Sequence, residues 1–293
     1  MSGDSLGISS RLAAAFKSAC LAELEALKPG NVHIFADGHG MVVQDFVRSA
    51  EAAAEAIAEP NAVVGERIFS AMEATWTVVG CNTNLGIILL CAPLIHAVLQ
   101  GHKATLRERL RDVLQELTVA DAQLTYQAIV RASPAGLGES AQHDVHMPPQ
   151  VTLLEAMREA QHRDCIARQY ANGYADVFDI GVKRYREAMQ QWGCPTWAAT
   201  RVYLAFLAEF PDTHIVRKYG DVVAQMVRVE AKGHEQTLLA QENPTTCQRE
   251  LLKFDADLKA RGLNPGTSAD LTVASMLAVS LENDMASMRQ DAV

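Results

Sequence analysis

An all-α fold is what the sequence predicts, and three observations predict it. Apolar residues recur at three- and four-residue spacings along most of the 293 residues. No run alternates apolar and polar residues for long enough to make a strand. The stretches between periodic runs hold helix stops (Pro, Gly) and helix starts of the Thr-x-x-Glu kind. The expectation is a single large helical domain over residues 1–293, of ten or more helices, with polar interhelical loops converging on one pocket. The composition, 49% hydrophobic and 21% charged, is that of an ordinary globular chain able to bury a core without staples.

The first helix is predicted over about 9–27, where Leu12, Phe16, Ala19, Cys20, Leu24 and Leu27 share a stripe. Glu23 falls on that stripe. It either lies at the edge and reaches water, or is buried, where it must be paired or bind a cation. Pro29 and Gly30 end this helix, and a second starts near Asp45, passing through Phe46, Ala50, Ala53 and Ile57 to Pro60. Asp45 there could simply be an N-terminal cap or dipole partner. A third covers about 62–79, followed by G-C-N-T-N-L-G at 80–86 and the apolar run 87–99. Thr105 with Glu108 opens a helix carrying Leu106, Leu110 and Val113, and another fills about 121–132. Residues 133–150 form the longest break; His143 and His146 lie in it with no helix to hold them, which argues against a metal site there. Thr152 with Glu155 opens a helix over about 153–170, and a further helix carries Tyr174, Phe178, Tyr185 and Met189. The next holds Trp197, Arg201 and Phe206. The break F-P-D-T-H-I-V-R-K-Y-G at 210–220 precedes a long helix at about 221–241. Another begins near Thr246, and L-N-P-G-T-S-A-D at 263–270 leads into the last.

The net charge of −9 argues against nonspecific nucleic-acid binding, which needs a basic face. Six scattered cysteines without a C-x-x-C pair suggest a reducing, cytoplasmic compartment and no zinc knuckle. The N-terminus does not read as a secretory signal, and the run 85–99 is too short to span a bilayer. Phosphate-binding loops, dinucleotide fingerprints and nucleophile elbows are absent.

Chemistry is therefore expected in the breaks. Lys28, Asn31, His33 and Asp45 lie in the first; Asn82, Thr83 and Asn84 in the second; Asp212, His214, Arg217 and Lys218 in the third. Cations and amides of this kind bind phosphates, carboxylates hold Mg²⁺ together with phosphate oxygens, and a carboxylate or His serves as general base.

The segments K-P-G-N-V-H with D-F-V-R-S-A, G-C-N-T-N-L-G, F-P-D-T-H-I-V-R-K-Y-G and L-N-P-G-T-S-A-D, in that order, resemble the triphosphoribosyl-dephospho-CoA synthase family. The resemblance spans about residues 20–280. It implies an all-helical cytoplasmic transferase: the ribose 2′-hydroxyl of dephospho-CoA displaces adenine from ATP, with the triphosphate retained. It further implies that Glu23, Asp45 and Asp212 share the catalytic and Mg²⁺-binding roles. Lys28, Asn31, His33, Ser49, Asn82, Thr83, Asn84, His214, Arg217, Lys218, Ser268 and Asp270 would bind substrate. Partners are small phosphorylated molecules, with a homodimer left open. Family members typically read N-T-H-K-G where this chain has N-T-N-L-G, and K-P-G-L-V-D where it has K-P-G-N-V-H. With A-G-L-G-E-S and I-A-R-Q-Y-A-N-G-Y-A-D-V-F, these departures look like a divergent branch found in archaea and methylotrophic bacteria. Two alternatives stay open: a different phosphorylated or ribosylated substrate in one-carbon cofactor (tetrahydromethanopterin or methylofuran) biosynthesis, and a non-catalytic helical binding protein.

Overall fold

The computed structural model describes residues 3–100, 104–134, 138 and 142–290. Among these it contains fourteen α-helices, one π-helical turn and one 3₁₀ turn, and no strand. The expected all-α class holds. None of the described helices is long and apolar enough to cross a membrane.

The first six helices follow the predicted order: α1 Gly3–Glu25, α2 Val43–Ile57, α3 Val64–Val79, α4 Leu85–Leu99, α5 Leu106–Glu116 and α6 Val119–Ala132. Local chemistry starts several of them. The Thr105 hydroxyl accepts from Glu108 N, and Glu108 Oε2 accepts from Thr105 N at 2.8 Å. The same reciprocal pair, Thr152 with Glu155, opens α7 Leu153–Ala160.

Three features depart from the expected elements. The predicted helix 153–170 is two, α7 and α8 Cys165–Asn172, because Asp164 caps a new helix by accepting from Ile166 N at 2.7 Å and Ala167 N at 3.1 Å. The next helix opens with a π-helical turn, Val177–Val182, before α9 Lys183–Trp192. The break after α10 Pro195–Glu209 holds a short helix, α11 Thr213–Tyr219, capped by Asp212. Then come α12 Asp221–Leu239, the 3₁₀ turn Pro244–Cys247, α13 Gln248–Ala260 and α14 Gly266–Gln290.

α4 is buried along nearly its whole length. Pro93 inside it has no N–H, so the carbonyl of Leu89, four residues back, loses its intrahelical donor. The Tyr170 hydroxyl from α8 supplies one at 2.6 Å, and Tyr174 adds a bond to Leu90 O at 3.1 Å. Apolar packing recruits α4 to the core, and these hydroxyls set α8 against it. Tyr170→Phe is expected to lower unfolding stability by about 1–3 kcal/mol, the cost of an orphaned buried acceptor, read from urea denaturation midpoints.

Two buried clusters make the core. One collects α1–α8, the π turn, one face of α10 and most of α14; the other collects the opposite face of α10 and α11–α13 with Leu27, Leu263 and Ala269. They meet along α10 and at the end of α1 and the start of α14. Gly30 seals the seam with φ 85°; a side chain there would come within 2.8 Å of Pro265 Cδ. The Tyr203 hydroxyl donates to Pro29 O at 2.6 Å, and Gly30 N donates to Asp255 Oδ1 at 2.8 Å.

Candidate active site

A cavity of about 800 Å³ opens beside that seam. The N-termini of α4, α8 and α14 all reach its wall, through Leu85 and Gly86, Asp164 and Ile166, and Gly266 and Thr267. Apolar wall comes from α2, α3, α4, α6 and α7, with Phe46, Trp76, Leu89, Ile129 and Met157. The Arg131 guanidinium stacks 5.2 Å from the Trp76 ring. The polar wall carries His39, Arg163, His214, Arg217 and Lys218.

Asp270 is the distinctive group on this wall. Its carboxylate has no hydrogen-bond partner among the described residues. It rests where a side chain on Gly86 would stand: a Cβ on Gly86 would lie 2.0 Å from Asp270 Oδ2. Burial, then the neighbouring Asp212 and Glu23, push its pKa well above the usual carboxylate range, against the pull of Arg217. Nearby, burial and the cations Arg217, Lys218 and His39 bring the His214 imidazole from 6.5 down to about 4. The cavity thus presents a carboxyl whose protonated form is favoured by burial, beside an imidazole that is neutral at neutral pH. Arg217 Nη1 donates to Asp164 Oδ2 at 2.7 Å, and its Nε has no partner among the described residues.

Behind the wall lies a buried polar layer. The Lys28 ammonium pairs with Glu23 and donates to Asn31 Oδ1 at 3.1 Å. Burial raises the pKa of Glu23 and lowers that of Lys28, while each partner opposes the shift of the other. Asn31 Nδ2 donates to Asn264 Oδ1 at 2.8 Å, and Asn264 is on the cavity wall. Asp212 is saturated: it accepts from Ser268 N and Oγ, both at 2.8 Å, and from the backbone of His214 and Ile215. It clips the start of α11 to the start of α14. Burial nonetheless raises its pKa.

A family model described as CitG: ATP:dephospho-CoA triphosphoribosyl transferase matches residues 9–288. The chain belongs to this family. A crystal structure from Archaeoglobus fulgidus, provisionally named a triphosphoribosyl-dephospho-CoA synthase, aligns with TM-score 0.63 and 24% identity, covering 80% of this chain and 97% of that one. At that identity the likeness speaks for the fold. A comparison with curated proteins returns no match.

In this triphosphoribosyl transferase family member, seven expected site residues line the cavity: Asn82, Thr83, Asn84, His214, Arg217, Lys218 and Asp270. Six others, Glu23, Lys28, Asn31, Ser49, Asp212 and Ser268, are buried and do not line it. The Thr83 hydroxyl donates to Ser49 Oγ at 2.6 Å, so Ser49 backs the wall. Two stand apart. His33 is fully buried with Nε2 3.2 Å from Asp255 Oδ1, in poor hydrogen-bonding alignment, on the α13 side of the loop. Asp45 caps α2 by accepting from Val42 N at 3.0 Å.

The three residues expected to hold a metal, Glu23, Asp45 and Asp212, each already have protein partners. Glu23 is neutralised by Lys28, Asp212 is filled by four donors and Asp45 serves its own helix. No group of three or more His, Cys, Asp or Glu disposed to hold a metal occurs among the described residues. Asp164, Asn264, His39 and Trp76 also line the cavity and are not among the expected site residues, although His39 lies in the first polar break. Asp164 was hidden inside a helix read as continuous, while Asn264 lay in the quoted L-N-P-G motif as an uncharged residue with no periodic signal.

Proposed function

We propose that the protein moves the triphosphoribosyl group of ATP to the ribose 2′-hydroxyl of dephospho-CoA and releases adenine. Family membership supports the reaction class. The observation that carries the chemistry is Asp270, an unpartnered carboxyl on the cavity wall whose pKa is raised. Breaking the bond from C1′ to adenine sends an electron pair to the base, so a proton must reach the base as it departs. Asp270 holds that proton. The 2′-hydroxyl oxygen bonds to C1′ and its proton passes to the neutral His214; His214 then releases that proton to solvent, and solvent returns one to Asp270. The sugar gains oxocarbenium character in between, a charge that carboxylates stabilise.

Arg217, Lys218 and Arg163 supply cationic wall for the triphosphate. Mg²⁺ enters as the companion of the triphosphate. Glu23, Asp45 and Asp212 do not fit a protein-bound ion, since each is already held by protein partners. All six cysteines are free, which supports a reducing, cytoplasmic setting.

The test is to incubate the protein with Mg²⁺, ATP and dephospho-CoA and to follow free adenine by chromatography. Adenine is expected in equal amount to the transferred product. Its release rate should fall as pH drops through about 4, where His214 takes a proton. It should also fall as pH rises through the raised pKa of Asp270. A folded sample that releases no adenine at any pH sinks the proposal and leaves a different phosphorylated or ribosylated substrate as the reading.

A further inference from the structure

We propose that Asn264 is an anion-binding residue of the cavity, presenting its side-chain NH₂ to a polyphosphate oxygen, and that Lys28 is a positioning residue that fixes this direction through Asn31. The inference rests on reading the cavity as the site of a triphosphate-bearing substrate.

The direction follows from donor and acceptor inventory. An ammonium has three donors and no acceptor. The Asn31 atom 3.1 Å from Lys28 Nζ must therefore be Oδ1. Its other end is then NH₂, which faces Asn264 at 2.8 Å. The Asn264 atom it meets must be an acceptor, Oδ1, so the NH₂ of Asn264 is the end left over. An amide orientation is normally a choice between two nearly indistinguishable ends; here a buried charge two residues away removes the choice.

The NH₂ of Asn264 has no acceptor among the described residues. The residue is only 9% exposed and lies on the cavity wall. That nitrogen is accessible and not sealed off in the interior, so an acceptor on a ligand in the cavity can reach it. Its surroundings name the ligand. Gly266 and Thr267, at the N-terminus of the 25-residue α14, line the same wall, as do His214, Arg217 and Lys218. A helix N-terminus, two cations and an amide donor together select an anion with several oxygens. The charge of Lys28 thus acts at the cavity without touching it, as a fixed hydrogen-bond polarity carried over two amides.

The probe is inorganic tripolyphosphate, with adenosine as its phosphate-free counterpart, both measured by calorimetry. Asn264→Asp replaces the donor with an acceptor and is expected to weaken tripolyphosphate binding by roughly 10- to 100-fold. Asn31→Asp alters no wall residue, yet it should do the same: its carboxylate accepts from both Lys28 and Asn264, forcing the Asn264 amide to turn its oxygen outward. Adenosine affinity should stay within about twofold of wild type in both variants, since neither change removes a base contact. Unchanged tripolyphosphate affinity in folded Asn264→Asp and Asn31→Asp overturns the proposal. Equal losses for tripolyphosphate and adenosine in Asn31→Asp overturn the relay, because they point to general disturbance. If either variant fails to fold, wild-type protein decides. The side-chain NH₂ resonances of Asn264 must shift on adding tripolyphosphate, and their indifference at saturation sinks the idea. Adenine release by wild type is scored separately, so a protein that binds tripolyphosphate but releases no adenine fails the reaction proposal alone.

Discussion

Asp270→Asn is expected to cut adenine release by about 100- to 10,000-fold, the range lost with a positioned proton donor. The same variant should fold, and at neutral pH it should be more stable than wild type. The sign follows from linkage. The folded-state pKa of Asp270 is raised, so the stability its protonated form contributes is fully present below 3.8 and is lost as pH rises through the raised value. Asparagine mimics the neutral form at every pH. The stability difference in its favour should therefore widen with increasing pH, which thermal melts across a pH series measure directly. A variant that loses activity and also melts lower at neutral pH would show instead that Asp270 is a structural ion.

Lys28→Met is expected to be the most destabilising single change in the layer behind the wall. It leaves Glu23, only 3% exposed, as a buried carboxylate without its cation. Removing one partner of such a pair costs about 3–5 kcal/mol. The second change, Glu23→Gln, should recover much of that loss, because two neutral side chains of similar size need no charge partner. Urea midpoints of the wild type, both single variants and the double variant close the cycle. If the double variant is no more stable than Lys28→Met, the pair is not what holds this layer together.

How much of this was legible in the residues depends on how local each cause is. Helices α5 and α7 begin at Thr105 and Thr152 because hydroxyl and carboxylate sit three residues apart, and that spacing is written in the chain. The break between α7 and α8 was not legible, because one capping aspartate, Asp164, outweighs an apolar pattern that continues through it. Residues from all four polar breaks line the cavity. What the residues could not say is which side of a wall each side chain faces. Lys28, Glu23 and Asp212 have the chemistry of phosphate and metal ligands, yet packing turns them inward to satisfy one another. Asp270, three residues before the core residue Val273, looked no different from them and alone of these carboxylates lines the cavity. His33 stands where relatives often carry an acid, and it faces Asp255 on α13 rather than the cavity.

The bare Cα of Gly86 beneath the Asp270 carboxylate has a consequence for how such sequences can change over time. Two positions separated by most of the chain behave as one heritable unit. Any side chain gained at 86 evicts the acid at 270 before selection can act on either alone, so a lineage that keeps this chemistry is barred from drifting at a residue with no chemistry of its own. Among descendants, an occupied position 86 would mark loss or replacement of the acid more readily than a change in any of the conspicuous charged residues around it.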